Sequence, residues 1–375
     1  MRIDTFEMER MQSLYWHEVE YDLSESGVQP LTIRELLGER TDPQAYLDTA
    51  LGYPLSEGSE VARERIAQWY PGCRRENVTI VNGGSEANLL TLWTLLEPGD
   101  RLAFMVPNYM QGWGLGRHFA GRTDTFELRL GGNEARWELD PEQLVRAITD
   151  RTRVIMVCNP NNPTGHVLTA PEMEAIVEAA DRVGAWIVAD EIYRGAEIDA
   201  DEASPTFWGR YDRVVITSGL SKAFGMPGLR IGWAVAPDET IGDLWIRHDY
   251  TTLTPGKISD ELAAVAMEPE RREWILARTR EIIRRQLPPL EDWIHSHDDV
   301  FHYARPAAGA IAYVAYDLPQ SSMELIDRIR TEQSVLLVPG DVFGLDRGIR
   351  IGFGYDIEHT LKGLARVDEV LAASR

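Results

Sequence analysis

Val214-Val-Ile-Thr217-Ser218-Gly-Leu-Ser221-Lys222-Ala-Phe-Gly-Met-Pro-Gly-Leu-Arg230-Ile-Gly232-Trp-Ala-Val-Ala236 is the stretch on which the reading of this chain turns. Its ends, Val214–Thr217 and Gly232–Ala236, are short, apolar and rich in β-branched or aromatic residues, as buried strands are. Between them a lysine follows a hydroxyl residue, precedes a glycine-containing loop and has an arginine eight residues on. That suits a lysine that forms a Schiff base with an aldehyde cofactor, with Ser218, Ser221 and Arg230 placed to hold the cofactor's phosphate. An exposed loop lysine near a basic residue is the plainer alternative, and the rest of the chain weighs against it.

Working outward, Val78–Val81, Leu102–Val106, Val154–Cys158 and Trp186–Ala189 share the strand character. Ser85–Leu96, Pro141–Ile148, Pro171–Val183 and Glu239–His248 have helical spacing. This alternation predicts a doubly wound α/β domain with a large, mostly parallel sheet. After Pro269 the character changes. A long charged helix over 271–295 leads into strand-like Phe301–Tyr303, Ala310–Tyr316, Val335–Val338 and Ile349–Phe353, with helical patterns at Ser322–Thr331 and His359–Ala373. We expect a large domain over residues 50–270. Residues 1–49, too short to fold alone, are expected to join 271–375 in a smaller, discontinuous α+β domain. Two cores suit 375 residues, since single cores stop growing at roughly 250–300.

With 38 basic and 60 acidic residues the formal charge is −22, which disfavours nucleic acid or an anionic membrane as partner. An anionic cofactor can still bind where a few arginines and backbone amides converge. Cys73 and Cys158 form no C-x-x-C pair and read as reduced and structural, with the cytoplasm as the expected compartment. The start, Met1-Arg-Ile-Asp-Thr-Phe-Glu, lacks the apolar core of a signal peptide. No window approaches the ~18 apolar residues of a membrane span. No metal site is expected.

Further features fall where a phosphate-bearing aldehyde cofactor needs them. In Asn82-Gly-Gly84-Ser85-Glu86-Ala87, Gly84 lets backbone approach closely, and Ser85 with the first-turn amides offers an anion site at a helix N-terminus. Many such turns bind nothing. Asp190-Glu191-Ile-Tyr193 follows a buried strand at the edge where doubly wound sheets bind ligands. A carboxylate there can pair with a protonated pyridine nitrogen, and Tyr193 can donate to a ring hydroxyl oxygen. Solvated loop acids are the commoner case, and the spacing leaves open which acid points inward.

In Asn159-Pro-Asn-Asn162-Pro163-Thr-Gly165 two prolines stiffen the loop, so Asn162 can present its amide at little entropic cost; the alternative is simply a turn. Tyr109 is placed to stack on a flat ring or to pack in a core. Arg350 interrupts an apolar strand, where its charge must be paired. A substrate carboxylate and an internal salt bridge are both open.

Taken in order, Tyr53…Gly58, Gly84-Ser85-Glu86-Ala87, Tyr109, Asn162-Pro-Thr-Gly165, Asp190…Tyr193, Ser221-Lys222…Arg230 and Arg350 resemble the fold-type I pyridoxal-phosphate enzymes, and more narrowly the class I/II aminotransferases. The resemblance covers nearly the whole chain. It implies pyridoxal 5'-phosphate (PLP) bound through a Lys222 Schiff base, with Asp190 on the pyridine nitrogen and Tyr193 and Asn162 on the ring hydroxyl oxygen. Gly84, Ser85, Glu86, Ser221 and Arg230 fall at the phosphate end and Tyr109 on the ring. Arg350 falls on the substrate α-carboxylate, with Gly27 and Asn162 beside the substrate. Tyr53 resembles a tyrosine that reaches the neighbouring subunit's phosphate, which implies a homodimer with shared active sites.

Transamination between an L-α-amino acid and a 2-oxo acid is the implied activity. Two departures stand out. Gly219 occupies a position that is a hydroxyl residue in many relatives, which puts the phosphate role of Ser218 in doubt. The segment Leu23-Ser24-Glu25-Ser26-Gly27-Val28 is more polar than the usual substrate-covering loop, although polar loops near a terminus are ordinarily just solvated. Together with Gly219-Leu-Ser221-Lys222 and Pro227-Gly-Leu-Arg230, that segment resembles enzymes of the capreomycidine synthase type, which cyclise arginine-derived amino acids. A PLP-dependent cyclase or an eliminating or replacing enzyme is therefore the alternative. Arg247 could reach a distal substrate carboxylate, and Glu25 could instead favour a basic side chain.

Overall fold

The computed structural model describes residues 3–39, 42–131 and 136–374. Among these, eight strands build the large sheet: β1 (Val78–Val81), β2 (Arg101–Val106), β3 (Thr123–Gly131), β4 (Arg136–Leu139), β5 (Thr152–Cys158), β6 (Trp186–Asp190), β7 (Val214–Gly219) and β8 (Gly232–Val235). Their order is β1-β8-β7-β6-β5-β2-β3-β4. The run from β7 to β3 is parallel, while β8 is antiparallel to both its neighbours and β4 to β3.

Alternation along the strands divides the core in two. Leu102, Phe104, Val154, Met156, Val188 and Val215 pack on one face, and Ala103, Met105, Ile155, Val157, Ile187 and Ile216 on the other. Both faces are covered, which is why these strands read as continuous apolar runs. Strands β3 and β4 were not expected from sequence. Their residues alternate with charge and are only partly buried, as suits a sheet edge. The helix Gln111–Phe119 also escapes a periodicity reading, because it carries three glycines, Gly112, Gly114 and Gly116.

The C-terminal part holds a four-stranded antiparallel sheet, in the order Phe301–Tyr303, Ile311–Tyr316, Gly348–Gly352, Val338–Pro339. The single strand expected over Val335–Val338 is split. Val335–Leu336 pairs in parallel with Tyr21–Asp22, and Val338–Pro339 joins the four-stranded sheet. The chain's start is thus stitched to its end. A 27-residue helix, Pro269–His295, braces the segments between them. Thr279 Oγ1 donates to Ala223 O (2.8 Å) and Arg278 to Gln29 O (3.0 Å). No helix of the described residues is long and apolar enough to cross a membrane.

What matters for chemistry is a register row. Cys158, Asp190 and Thr217 lie side by side at the carboxyl ends of β5, β6 and β7, the edge where open α/β sheets take their ligands.

Candidate active site

That edge opens into a cavity of about 930 Å³ lined by residues of both parts of the chain, Gly84, Ser85, Asp190 and Lys222 among them. At one end β1 turns into helix α1 (Gly84–Leu95) through Gly83, which has φ 96°. A Cβ on Gly83 would lie 2.3 Å from the Arg230 guanidinium, whereas one on Gly84 would meet nothing closer than 3.4 Å. The close approach expected of Gly84 is therefore made by Gly83. No side chain caps the first turn of α1. Its amides and dipole favour an anion there, and the hydroxyls of Ser85 and Ser221 line the same cavity with Arg230.

At the register row Asp190 lines the cavity. Glu191 instead turns away and accepts from Thr206 Oγ1 (2.8 Å) and Phe207 N (3.0 Å). Asp190 Oδ2 accepts from Asn88 Nδ2 at 2.9 Å, and Asn88 Oδ1 in turn accepts from Thr217 Oγ1 at 2.6 Å. Burial pushes the Asp190 carboxyl up to about 6 despite the Asn88 hydrogen bond. It is a carboxylate short of a cationic partner.

Lys222 extends into the cavity, where its Nζ donates to Glu25 Oε1 at 2.7 Å. Tyr193, 3% exposed, donates to Ser26 Oγ (2.9 Å). Tyr109 donates to Glu9 Oε1 (2.8 Å) and meets Phe6 edge-on, so its hydroxyl is tied to the N-terminal helix Glu7–Tyr15. Arg350 is 1% exposed and donates to Asn162 Oδ1 (3.0 Å) and to Ser24 O, with its guanidinium over Phe343. Among the described residues no carboxylate is in ion-pair contact with Arg350; Glu25, Glu9 and Asp22 act on its charge only from farther off.

Several placements correct the sequence reading. Glu86 does not line the cavity; its carboxylate accepts from Asn82 N and Thr252 Oγ1 and closes the turn from behind. Ser218 is 1% exposed and donates to Glu191 O, away from the cavity. A side chain at Gly219 would come within 2.6 Å of Ile231 O, which excludes a hydroxyl residue there. The Leu23–Val28 segment is not a solvated loop, since Ser24 and Ser26 are 0% and 5% exposed. Gly27 sits beside Lys222, donating to Glu25 Oε1 (2.9 Å). Arg247 is bound to Trp93 O and Asp243 O, and Tyr53 is 84% exposed, neither lining the cavity.

Sequence reasoning missed Asn88, Glu9, Gln12, Asp22, Tyr355 and His359, all on the cavity wall. Asn88 left one signal: an amide among the mostly apolar buried residues of α1. The others sit near the two chain ends and carry no local pattern.

Comparison with known proteins matches residues 23–367 to the family "Aminotransferase class I and II". The chain is 29% identical to the capreomycidine synthase of Streptomyces vinaceus over 95% of this chain and 91% of that protein. The crystal structure of a PLP-dependent aminotransferase from Streptococcus suis superposes with a TM-score of 0.91, at 30% identity, covering 100% of this chain and 99% of that one. The structure of the PLP-dependent cyclase OrfR gives 0.87 at 28% identity, with 98% of each chain covered. A lysine just past a strand end that shares a cavity with a buried carboxylate, an uncapped helix start and an arginine thus has its place in a known line: the chain belongs to the class I and II aminotransferases, enzymes of fold type I whose cofactor is pyridoxal 5'-phosphate.

Proposed function

We propose that the protein is an aminotransferase that moves an amino group between an L-α-amino acid and a 2-oxo acid. The observation that carries this reading is the convergence of Lys222, Asp190 and Arg230 around one cavity, with Arg350 just behind its wall, bonded to the lining residue Asn162. The residues fit the cofactor at both ends. The uncapped start of α1 with Ser85, Ser221 and Arg230 suits a phosphate, and Asp190 is a buried carboxylate that lacks a cation. When bound, PLP supplies a covalent anchor for the amine and an electron sink for the electrons left at Cα.

Lys222 would link to the cofactor, and its Nζ, when free, would carry a proton to and from the substrate Cα. Asp190 keeps the ring nitrogen charged, oriented by Asn88. Tyr193 and Asn162 hold the ring hydroxyl oxygen and Tyr109 the ring face. Arg350 takes the α-carboxylate beside Gly27 and Asn162. The wider reading goes with it: a cytoplasmic enzyme of amino-acid metabolism, with a large domain over 50–270 and a small one over 1–49 and 271–375. It acts as a homodimer in which exposed Tyr53 reaches the partner's phosphate; exposed Leu51, Leu55 and Tyr250 are apolar surface for such a contact.

A second reading keeps the cofactor and directs the reaction to cyclisation or elimination. Two observations favour it: Glu25 touches Lys222, and Glu9, Asp22 and Glu25 together make the substrate end acidic, which suits a basic amino acid. The likeness to a PLP-dependent cyclase points the same way. The test is stoichiometry. Transamination gives one new 2-oxo acid and one new amino acid per donor consumed and needs an acceptor. Donor consumption without an acceptor, releasing ammonia or a cyclic amino acid, establishes the second reading instead.

A further inference from the structure

Glu25 has no place among the phosphate, ring and α-carboxylate roles, yet it is built against the reacting nitrogen. It meets Lys222 across 197 residues of sequence, Oε1 to Nζ at 2.7 Å. The same oxygen accepts from Gly27 N at 2.9 Å. Gly27 is confined in turn, since a Cβ there would lie 3.2 Å from Glu25 Oε1 and 3.3 Å from Ser221 O. The segment is pinned on either side of Glu25. Gly352 N donates to Leu23 O (2.8 Å), Arg350 donates to Ser24 O, and Gln29 N donates to Gly354 O (2.8 Å). A solvated loop would leave its carboxylate free to swing; this one does not.

The charged and titratable groups facing the pair are few. Lys222, Arg350, Asp22 and Tyr355 act on Glu25, and Glu25, Tyr193, Arg350 and Tyr355 act on Lys222. Burial disfavours both charges, but their mutual attraction outweighs it, holding the lysine above its ordinary value and the carboxyl below. A lysine so held is an ammonium at neutral pH and has no lone pair. It must lose a proton before it can attack a carbonyl or take a proton from carbon.

We propose that Glu25 is the charge partner of Lys222: its carboxylate holds the Lys222 ammonium while the nitrogen is free, and the contact sets the pH at which that nitrogen gives up its proton to solvent and becomes an amine. The proposal rests on Lys222 being the cofactor-linking residue and holds for transamination and cyclisation alike.

The test uses the apoprotein as wild type, Glu25→Gln and Glu25→Asp. Each is mixed with PLP across about pH 6 to 10, a span below the ordinary lysine value of about 10.4 in which the free amine is the minor form, quenched with borohydride at timed intervals, and assayed by mass spectrometry for the reduced adduct on the Lys222 peptide. The titration of PLP itself is common to all three proteins. We expect the acid limb of the rate profile in Glu25→Gln to move to lower pH by roughly one to three units, the effect of removing an opposite charge at contact distance. Glu25→Asp, which keeps the charge on a shorter arm, should fall between and preserves the test if the glutamine variant misfolds. Coincident limbs overturn the proposal. So does a slower rate with an unmoved limb, which a merely structural role would give. Absence of any adduct on wild-type Lys222 overturns the assignment of that lysine, and the pairing with it.

Discussion

The two ends of the cavity are built in different ways. At the sheet end Gly83, Asp190, Ser221, Lys222 and Arg230 come from strand termini and the turns that follow them, each backed by strands in fixed register. At the other end Glu9, Asp22 and Glu25 come from the chain's start and Tyr355 and His359 from near its finish, joined by a two-residue strand pair and a few loop hydrogen bonds. The first end is a property of the fold and sets what bond chemistry is available. The second is a surface that the same fold can vary, and in the proposed reading it is the end that selects the amino acid.

Changes at the sheet end should therefore act on rate almost regardless of substrate. Lys222→Ala is expected to have the largest effect, a loss of turnover of roughly 10⁴-fold, the upper range for removing a positioned acid–base group. Its cost in stability should be small, no more than about 1 kcal/mol, because the Lys222–Glu25 pair is a quarter exposed and partly screened by solvent. Turnover and denaturation measured on the same preparation check both halves. Retained wild-type turnover would break the comparison at its root.

Asp190→Asn should come next, with opposite signs for activity and stability. Turnover should fall by roughly 10²–10³-fold, the scale for removing a charge aimed at a developing charge. The apoprotein should become more stable. Burial raises the folded-state value of Asp190 from 3.8 to about 6, so its contribution favours folding below about 4 and is lost as pH rises through about 6. At pH 8 the full penalty applies, about 2–3 kcal/mol on the usual conversion. Asparagine has no charge to bury and can still accept from Asn88. Urea unfolding of the two apoproteins should show the variant ahead at pH 8 and the gap closing near pH 4.

The same contrast explains how much was legible in sequence. The sheet end is local: strand, turn and helix carry their residues within a few positions of one another, so Ser221-Lys222…Arg230 and Asp190…Tyr193 could be read off the chain with the parallel sheet that presents them. Its one illegible member, Asn88, acts through Asp190 from a different strand–helix unit, and only register brings them together. The far end has no local grammar. Nothing in Glu7–Tyr15 or Leu23–Val28 announces that Gly352 and Arg350 will hold it down, which is why Ser24 and Ser26 read as a solvated loop and are buried. The sheet edge β3–β4 and the glycine-bearing helix Gln111–Phe119 were missed for a plainer reason: the strand alternates apolar with charged residues instead of running continuously apolar, and the helix fills two of its three buried positions with glycine.

Asn88→Leu tests the layer behind the ring contact. It leaves Asp190 Oδ2 and Thr217 Oγ1 without their partner, at a cost of roughly 1–3 kcal/mol in unfolding free energy. The carboxyl should move further up, and turnover should fall by about tenfold, the scale of losing a supporting hydrogen bond. That loss should be the same for every amino donor, since Asn88 orients Asp190 and selects nothing. A donor-dependent loss would move Asn88 to the selecting end and blur the division drawn here.

The smallest effects belong to the selecting end, and they should depend on the donor. Glu9, Asp22 and Glu25 face two cations, Lys222 and Arg350, and a substrate α-carboxylate would consume the charge of the second. A cationic side chain is then attracted and an anionic one repelled. Asp22→Asn removes one of those charges and keeps the acceptor that Ser24 N and Ser24 Oγ donate to, so the loop should hold its shape. At contact distances near a wet cavity one charge is worth about 1 kcal/mol, or roughly threefold to tenfold in KM. We expect KM to rise by that factor for an amino acid with a basic side chain, to fall for one with an acidic side chain, and kcat to stay within about threefold for both. Burial raises the Asp22 carboxyl, so the difference between wild type and variant should shrink as pH is lowered and that carboxyl takes up its proton. Equal shifts in KM for the two donor classes would mean that Asp22 serves the loop and not the substrate, and would leave the acidic end without a selecting role.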